Sequence, residues 1–173
     1  VRRFRENVWR AIFRPFIFYS DVREQNLIPT FHNVLLAIII SLGSGLFFAN
    51  LFYFWKDTQL LDIMLSVVIS NDSVKIYADE FFANPVKLIG LLSAISFIKI
   101  FFISVFIWLF SLTLKYRVRF NNIYTITVWG LMPVILLLVF GTFYLRILQA
   151  NSDFVIIGLL TAGFLYLVSI YRI

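Results

Sequence analysis

The chain has 173 residues, of which 61% are hydrophobic and 19% aromatic, and its mean hydropathy is +0.92. A soluble domain has an apolar share of about 45–50%, so this composition excludes a soluble domain and predicts an all-α integral membrane protein. The formal net charge is +6, but the basic residues lie beside apolar segments, where such residues set membrane orientation. We therefore expect anionic lipid head groups as partners and no nucleic acid. The absence of cysteine excludes disulfides and thiolate metal sites.

The first 26 residues form a basic, aromatic segment that predicts an N-terminal amphipathic helix in the membrane interface. Its apolar residues recur every four positions, and arginines occupy the other side of the expected helix. Pro15 is expected to end or kink this helix, because proline lacks an amide donor. The residues expected to contact the membrane surface are Arg2, Arg3, Arg5, Trp9, Arg10 and Arg14.

Four apolar segments are long enough to cross a bilayer, at about residues 31–55, 86–112, 123–148 and 154–171. The connector 57–84 carries several acids and an apolar piece that is too short to span, which favours a short interfacial or re-entrant helix there. Together these segments predict one membrane domain over residues 1–173, a bundle of four transmembrane helices preceded by the interfacial helix.

Small residues recur at helical spacing in the first and fourth spans. Such residues lie on one face of a helix and let a second helix approach closely, although the pattern also arises by chance. We expect this helix-packing role for Ser41, Gly45, Ala49, Gly158 and Ala162.

Asparagine and proline residues predict how individual spans begin and bend. Asn84 followed by Pro85 is typical of a capped helix start, since the asparagine side chain accepts backbone amides and proline needs no donor there. Pro133 predicts a kink near Trp129, whose carbonyl would lose its usual amide partner. A tight turn is expected at residues 151–153, before the fourth span.

Lys99 lies at the centre of the second apolar segment and is an intramembrane charge. A charged side chain at that depth costs about 3 kcal/mol or more, so it normally faces protein, water or a partner. Every carboxylate of the chain lies outside the four apolar segments. Three states are open for Lys99: a neutral amine, a charged amine on carbonyls freed near Pro133, and a charged amine paired with a carboxylate of another subunit.

The positive charges are unevenly distributed about the four segments. Ten of the fifteen Lys and Arg residues flank one side, in the N-terminal segment, in residues 115–119 and at Arg172, and four flank the other side. The more basic side of a membrane protein is cytoplasmic. We therefore expect cytoplasmic N and C termini, in a bacterial cytoplasmic membrane.

Several elements of the sequence together resemble the Yip1-domain family of multi-span membrane proteins. They are Trp9, Phe13 and Pro15 near the start, a basic loop before the third span, and the Trp-Gly-Leu-Met-Pro stretch that ends at Pro133. The resemblance covers most of the chain and implies an all-helical membrane fold, usually of five spans, of which this sequence shows four. A fifth would lie beyond Ile173. Eukaryotic members act in vesicle trafficking with small GTPases, but the family supplies no catalytic residues to carry over.

Two classes of function fit these features. A non-enzymatic membrane scaffold or accessory subunit is favoured by the small-residue helix faces, the basic interfacial segment and the lack of nucleotide-binding or catalytic motifs. The single histidine, His32, is interpreted as an interfacial polar residue, and no metal or cofactor is expected. The alternative is a small permease or channel subunit, with Lys99 at the midplane and a proline-broken third span. Partners are expected to be other membrane subunits or further copies of the chain.

Overall fold

The computed structural model describes residues 30–56, 84–113 and 118–172. Outside these ranges it describes only short pieces, namely residues 6, 9–11, 14, 20, 58–59, 63, 66–67 and 81–82. Apart from these pieces, the amphipathic helix predicted for residues 1–26 and the interfacial helix predicted within 57–84 lie outside the described residues.

All regular structure in the described ranges is helical. Four helical segments are long and apolar enough to cross a membrane, so the predicted all-α fold with four membrane-spanning helices is confirmed. In chain order the elements are α1 (Thr30–Trp55), α2 (Pro85–Thr113), α3 (Phe120–Gly130), a 3-10 helix (Met132–Ile135), α4 (Leu136–Ala150) and α5 (Phe154–Arg172).

The third span is a broken helix rather than one bent helix. α3 ends at Gly130, and Pro133 lies in the first turn of the 3-10 helix that leads into α4. The backbone of Leu131 marks the change, because its N–H donates to the Thr127 carbonyl at 3.1 Å while its own carbonyl accepts the N–H of Val134 at 3.0 Å, a 3-10 bond. The kink predicted at Pro133 is therefore present as a short change of helix type, as expected where proline removes an amide donor.

The predicted helix start and turn are also observed. The side-chain Oδ1 of Asn84 accepts the backbone N–H groups of Val86 at 3.1 Å and Lys87 at 3.3 Å, and Pro85 is the first residue of α2. Before α5, the side chain of Asn151 accepts the backbone N–H of Asp153 at 2.8 Å. Both contacts satisfy amides that lack an intrahelical partner, so they fix where these helices begin.

α1 lies at the centre of the described bundle. It is the most buried of the spanning helices, and it packs along α2 on one side and along α4 on another. α5 packs against the 3-10 helix and α4, whereas α2 and α5 do not pack closely against each other. The outer surfaces of α2, α4 and α5 carry many exposed large apolar side chains, as expected for surfaces that contact lipid.

Gly45 lies where α1 and α2 approach each other closely. A Cβ atom at Gly45 would lie 2.6 Å from the backbone nitrogen of Ser93, closer than real Cβ atoms come. Ser41 and Ala49, one turn to either side, are buried as well. On another side of α1, a Cβ at Gly43 would lie 3.0 Å from the backbone of α4. Small residues thus let α1 contact two neighbouring helices at short distance.

Gly158 has a different packing role from Gly45. A Cβ at Gly158 would collide with the hydroxyl and ring of Tyr144, so this glycine makes room for an aromatic side chain rather than for a neighbouring backbone. The ring of Tyr144 also stacks on Phe47, with 4.6 Å between the ring centroids. Ala162, one turn further along α5, is buried. Gly158 and Ala162 are therefore both buried in the core. The sequence pattern did not indicate that Gly158 makes room for a tyrosine.

Candidate functional site

Three polar side chains from three helices meet near the middle of the bundle. Lys99 on α2 is exposed, and its Nζ lies 3.3 Å from the hydroxyl oxygen of Tyr166 on α5 and 4.6 Å from the centroid of the same ring. The Tyr166 hydroxyl is in turn 3.0 Å from the hydroxyl of Ser44 on α1, which is buried. We call Lys99, Tyr166 and Ser44 the Lys99 network. It links the outer surface of the bundle to its core.

The contacts within the Lys99 network satisfy only part of the lysine side chain. An ammonium has three N–H donors, and Tyr166 accepts one of them. The tyrosine ring adds a cation–π contact worth about 0.5–2 kcal/mol. Neither Tyr166 nor Ser44 carries a negative charge, and the described part of the chain shows no carboxylate beside Lys99. The network therefore offsets some of the cost of a cation at mid-membrane depth but does not neutralise its charge.

Lys99 lies deep within its helix. It is 14 residues from each end of α2, at Pro85 and Thr113, which corresponds to about 21 Å along the helix axis in either direction. The hydrocarbon core of a bilayer is about 30 Å thick, so a lysine at this depth is about 15 Å from both head-group regions. Its side chain is too short to bring the ammonium to either surface, although lysines near helix ends do so.

The contacts of Lys99 differ from one of its three predicted states, the charged amine on carbonyls freed near Pro133. Its nitrogen contacts Tyr166 on α5 and not backbone carbonyls at the Pro133 break. Tyr166 was not a predicted site residue, because an aromatic side chain within an apolar span is typical of both core and lipid-facing positions. The depth of Tyr166 in the fourth span could have indicated it, but which spans are neighbours does not follow from one sequence.

A second polar cluster joins α1 to α3. The side chain of Asn33 donates to the Thr125 hydroxyl at 2.7 Å and accepts the indole N–H of Trp129 at 2.9 Å. The Thr125 hydroxyl donates to the carbonyl of Asn121 at 2.7 Å. Asn33 and Trp129 are both completely buried. A neutral, buried and hydrogen-bonded cluster of this kind holds helices together.

Two further polar side chains contribute to the packing of α1. Asn50 donates from its side-chain nitrogen to the Gly141 carbonyl in α4. The hydroxyl of Ser93 is buried and has no hydrogen-bond partner among the described residues, and it lies against Gly45. A Cα–H to oxygen contact is the interaction that such a glycine offers. Both side chains therefore belong to helix packing.

The remaining predicted site residues lie apart from the Lys99 network. Trp9, Arg10 and Arg14 are exposed, as expected of residues that contact a membrane surface, but lipid contact itself stays a prediction. Arg2, Arg3 and Arg5 lie outside the described residues.

The described residues contain no arrangement that could hold a metal ion. Nowhere in the part of the chain that the structure describes do three His, Cys, Asp or Glu side chains come together. His32 is half-buried near the start of α1, with its ring 6.2 Å from that of Phe31. The chemistry that the described site offers is therefore a positive charge at Lys99 with hydroxyl groups behind it.

Comparisons with known proteins identify no family for this chain. No protein-family model, curated protein or solved structure matches the chain. The geometry of the Lys99 network is accordingly the basis on which a function can be proposed.

Proposed function

We propose that the chain is a non-enzymatic scaffold or accessory subunit of a larger membrane assembly, similar to Yip1-domain proteins. The observation that carries this proposal is the exposed Lys99 at mid-depth, whose described partner is a neutral tyrosine. A cation surrounded by hydrocarbon is unfavourable, whereas a cation that faces a second protein can be paired there. The described part of the chain therefore supplies no counter-ion for Lys99.

The packing of the bundle supports a scaffold role. α1 is held by close glycine contacts to α2 and α4 and by the Asn33 cluster to α3, so the centre of the bundle is fixed from several sides. Among the described polar groups of this centre, Asn33 bonds to Thr125 and Trp129, whereas Lys99 is exposed. A closely packed bundle with an outward charge at mid-depth fits the presentation of a binding surface better than it fits a reaction.

The lipid bilayer is the second partner in this proposal. The N-terminal arginines would contact anionic head groups, at about 1 kcal/mol for each arginine near the surface. We predict that a peptide of residues 1–19 binds anionic vesicles more tightly than neutral vesicles and loses affinity as salt is raised, because salt screens exposed charges. Equal binding to both vesicle types at every salt concentration, measured by tryptophan fluorescence, would contradict the electrostatic part of this role.

Purification of the full chain from its own membranes in a mild detergent tests the subunit proposal. The expected result is a second membrane protein at a fixed stoichiometric ratio after two successive chromatographic steps, quantified by mass spectrometry. The Lys99→Leu variant should be inserted in equal amount and recovered without that protein. Recovery of the wild-type chain alone, with the yield and stability of the Lys99→Leu variant, would contradict the proposal.

A small permease or channel subunit remains the second candidate. It is favoured by the polar path from the exposed Lys99 to the buried Ser44 and by the proline-broken third span, since broken helices are common at transport sites. Proteoliposomes that contain the purified chain and a pH-sensitive dye distinguish the two. Proton flux that is present in the wild type and lost in Lys99→Leu supports a permease, and flux no higher than in empty vesicles contradicts a proton permease.

A further inference from the structure

We infer that the surface around Lys99 is the docking site for a transmembrane helix of another protein that carries an Asp or Glu at mid-membrane depth. The inference rests on the proposed function and specifies the chemistry of the partner. Its central element is a cation with free donor capacity that faces out of the bundle, because Tyr166 accepts one of the three lysine N–H donors.

The surface has the shape and composition of a helix-binding surface. On α2, Ile95 and Phe102 lie one turn to either side of Lys99, and both are exposed. On α5, Gly163 lies one turn before Tyr166, is exposed, and would have nothing within 4 Å of an added Cβ. We call Ile95, Lys99, Phe102, Gly163 and Tyr166 the Lys99 surface. Because α2 and α5 do not pack closely against each other, a helix can lie against both, with its backbone close to Gly163.

Depth argues against a phospholipid as the occupant. Lys99 is 14 residues from either end of α2, about 21 Å along the axis, and the hydrocarbon core extends about 15 Å to either side of the bilayer centre, with the lipid phosphates beyond it. A phosphate would have to enter the hydrocarbon to reach the ammonium, and the free energy of that step is unfavourable for the same reason as for the lysine itself. The lipid chains can cover Ile95 and Phe102 but cannot neutralise Lys99.

The sequence argues against a second copy of this chain as the occupant. All carboxylates lie outside the four apolar segments, so none of these four segments in a second copy carries an acid at the depth of Lys99. A symmetric contact through this surface would instead bring two lysines together, which is repulsive.

A carboxylate on a helix of another protein can reach the depth of Lys99 and carries the opposite charge. It can be held at mid-depth by its own apolar helix, and it can accept the two N–H donors that Tyr166 leaves on Lys99. Hydrogen bonds between an ammonium and a carboxylate are about twice as strong as those between neutral groups. The partner's acid would therefore lie near the middle of an apolar segment of about 20 residues.

Site-specific photocrosslinking in native membranes tests the position of the partner. Phe102, 65% exposed on α2, is replaced by the photoreactive residue p-benzoylphenylalanine, and Phe143, 60% exposed on α4, is replaced in the same way as the matched control. We expect a protein adduct at position 102 that is at least tenfold more abundant than at position 143. Mass spectrometry of the adduct should locate the crosslink in an apolar segment of the partner that has a central Asp or Glu.

Charge reversal then tests the ion pair itself. Lys99→Asp is expected to abolish the adduct at position 102, as is replacement of the partner's acid by Lys, while the two changes together should restore it to at least half of the wild-type yield. Lys99→Arg, which keeps the charge, should retain the adduct and controls for loss of folding.

The remaining outcomes separate failure of this inference from failure of the proposed function. An adduct at position 102 with lipid only, with a second copy of the chain, or with a helix that lacks an acid overturns the docking site while a co-purifying partner still supports the subunit role. Absence of any stoichiometric partner in the purification overturns both.

Discussion

Asn33 and Lys99 are both polar side chains within apolar helices, and their environments are opposite. Asn33 is completely buried and bonded to Thr125 and Trp129, whereas Lys99 is exposed and bonded to a neutral hydroxyl. Trp129 also needs its partner, since a buried indole N–H without an acceptor is unfavourable. Asn33 thus has hydrogen-bond partners within the chain, whereas Lys99 keeps N–H donors that a group from another molecule can bind.

We predict that Asn33→Leu destabilises the bundle by about 1–3 kcal/mol, because it leaves the buried indole N–H of Trp129 without this acceptor. The matched control is Ser41→Ala, since Ser41 is equally buried on α1 but bonds only to a carbonyl of its own helix, that of Ala37. The control should change stability by less than about 1 kcal/mol. The measurement is the free energy of unfolding in bicelles by steric trapping. Equal effects of the two substitutions would show that the cluster does not hold α1 to α3.

Single residues were predictable from the sequence only where their chemistry is unusual for their surroundings. Lys99 stands out because a charge in an apolar run is rare, and the structure indeed places it at a junction of three helices. Asn33, Thr125 and Tyr166 did not stand out, because uncharged polar side chains are common in membrane helices. Their roles depend on which helices are neighbours, and a single sequence does not contain that information.

At the scale of helices, local chemistry predicted boundaries and breaks but not partners. The Asn84 cap, the turn at Asn151 and the break at Pro133 each follow from hydrogen bonds that one residue makes or cannot make within a few positions. The small residues of α1 predicted close approach to another helix, and Gly45 lies against Ser93 of α2. That α2 would be the neighbour, and that Gly158 would face Tyr144, depends on long-range packing.

We predict that Gly45→Ala destabilises the contact of α1 with α2 by about 1–3 kcal/mol, because its methyl group would lie 2.6 Å from the backbone nitrogen of Ser93 and force the helices apart. Gly90→Ala on α2 is the control, since a Cβ there meets nothing within 4 Å and alanine favours helix. Thermal unfolding in detergent gives the comparison. A Gly45→Ala protein as stable as Gly90→Ala would mean that the helices are not in close contact at this point.

At the scale of the whole molecule, the fold class was predictable because it depends on the lengths of apolar runs. Four runs of sufficient length allow only helices across a bilayer, since each backbone group must be satisfied within its own segment. The orientation of the bundle follows from the uneven basic residues and stays a prediction.

The orientation can be tested because the chain has no cysteine. We predict that Ser152→Cys, in the exposed turn before α5, is labelled in intact cells by a maleimide that does not cross membranes. Arg119→Cys, which is exposed before α3, should be labelled only after the cells are permeabilised. The opposite pattern would place both termini outside the cytoplasm and would contradict the proposed orientation.

The most direct measurement for the whole account is native mass spectrometry of the chain released straight from its membranes. We predict that the 20.3 kDa chain is released in a complex with at least one other protein, and that Lys99→Leu is released without it. Release of both the wild type and the variant at the mass of the chain, alone or with bound lipid, would contradict the claim that Lys99 is completed by a second membrane protein.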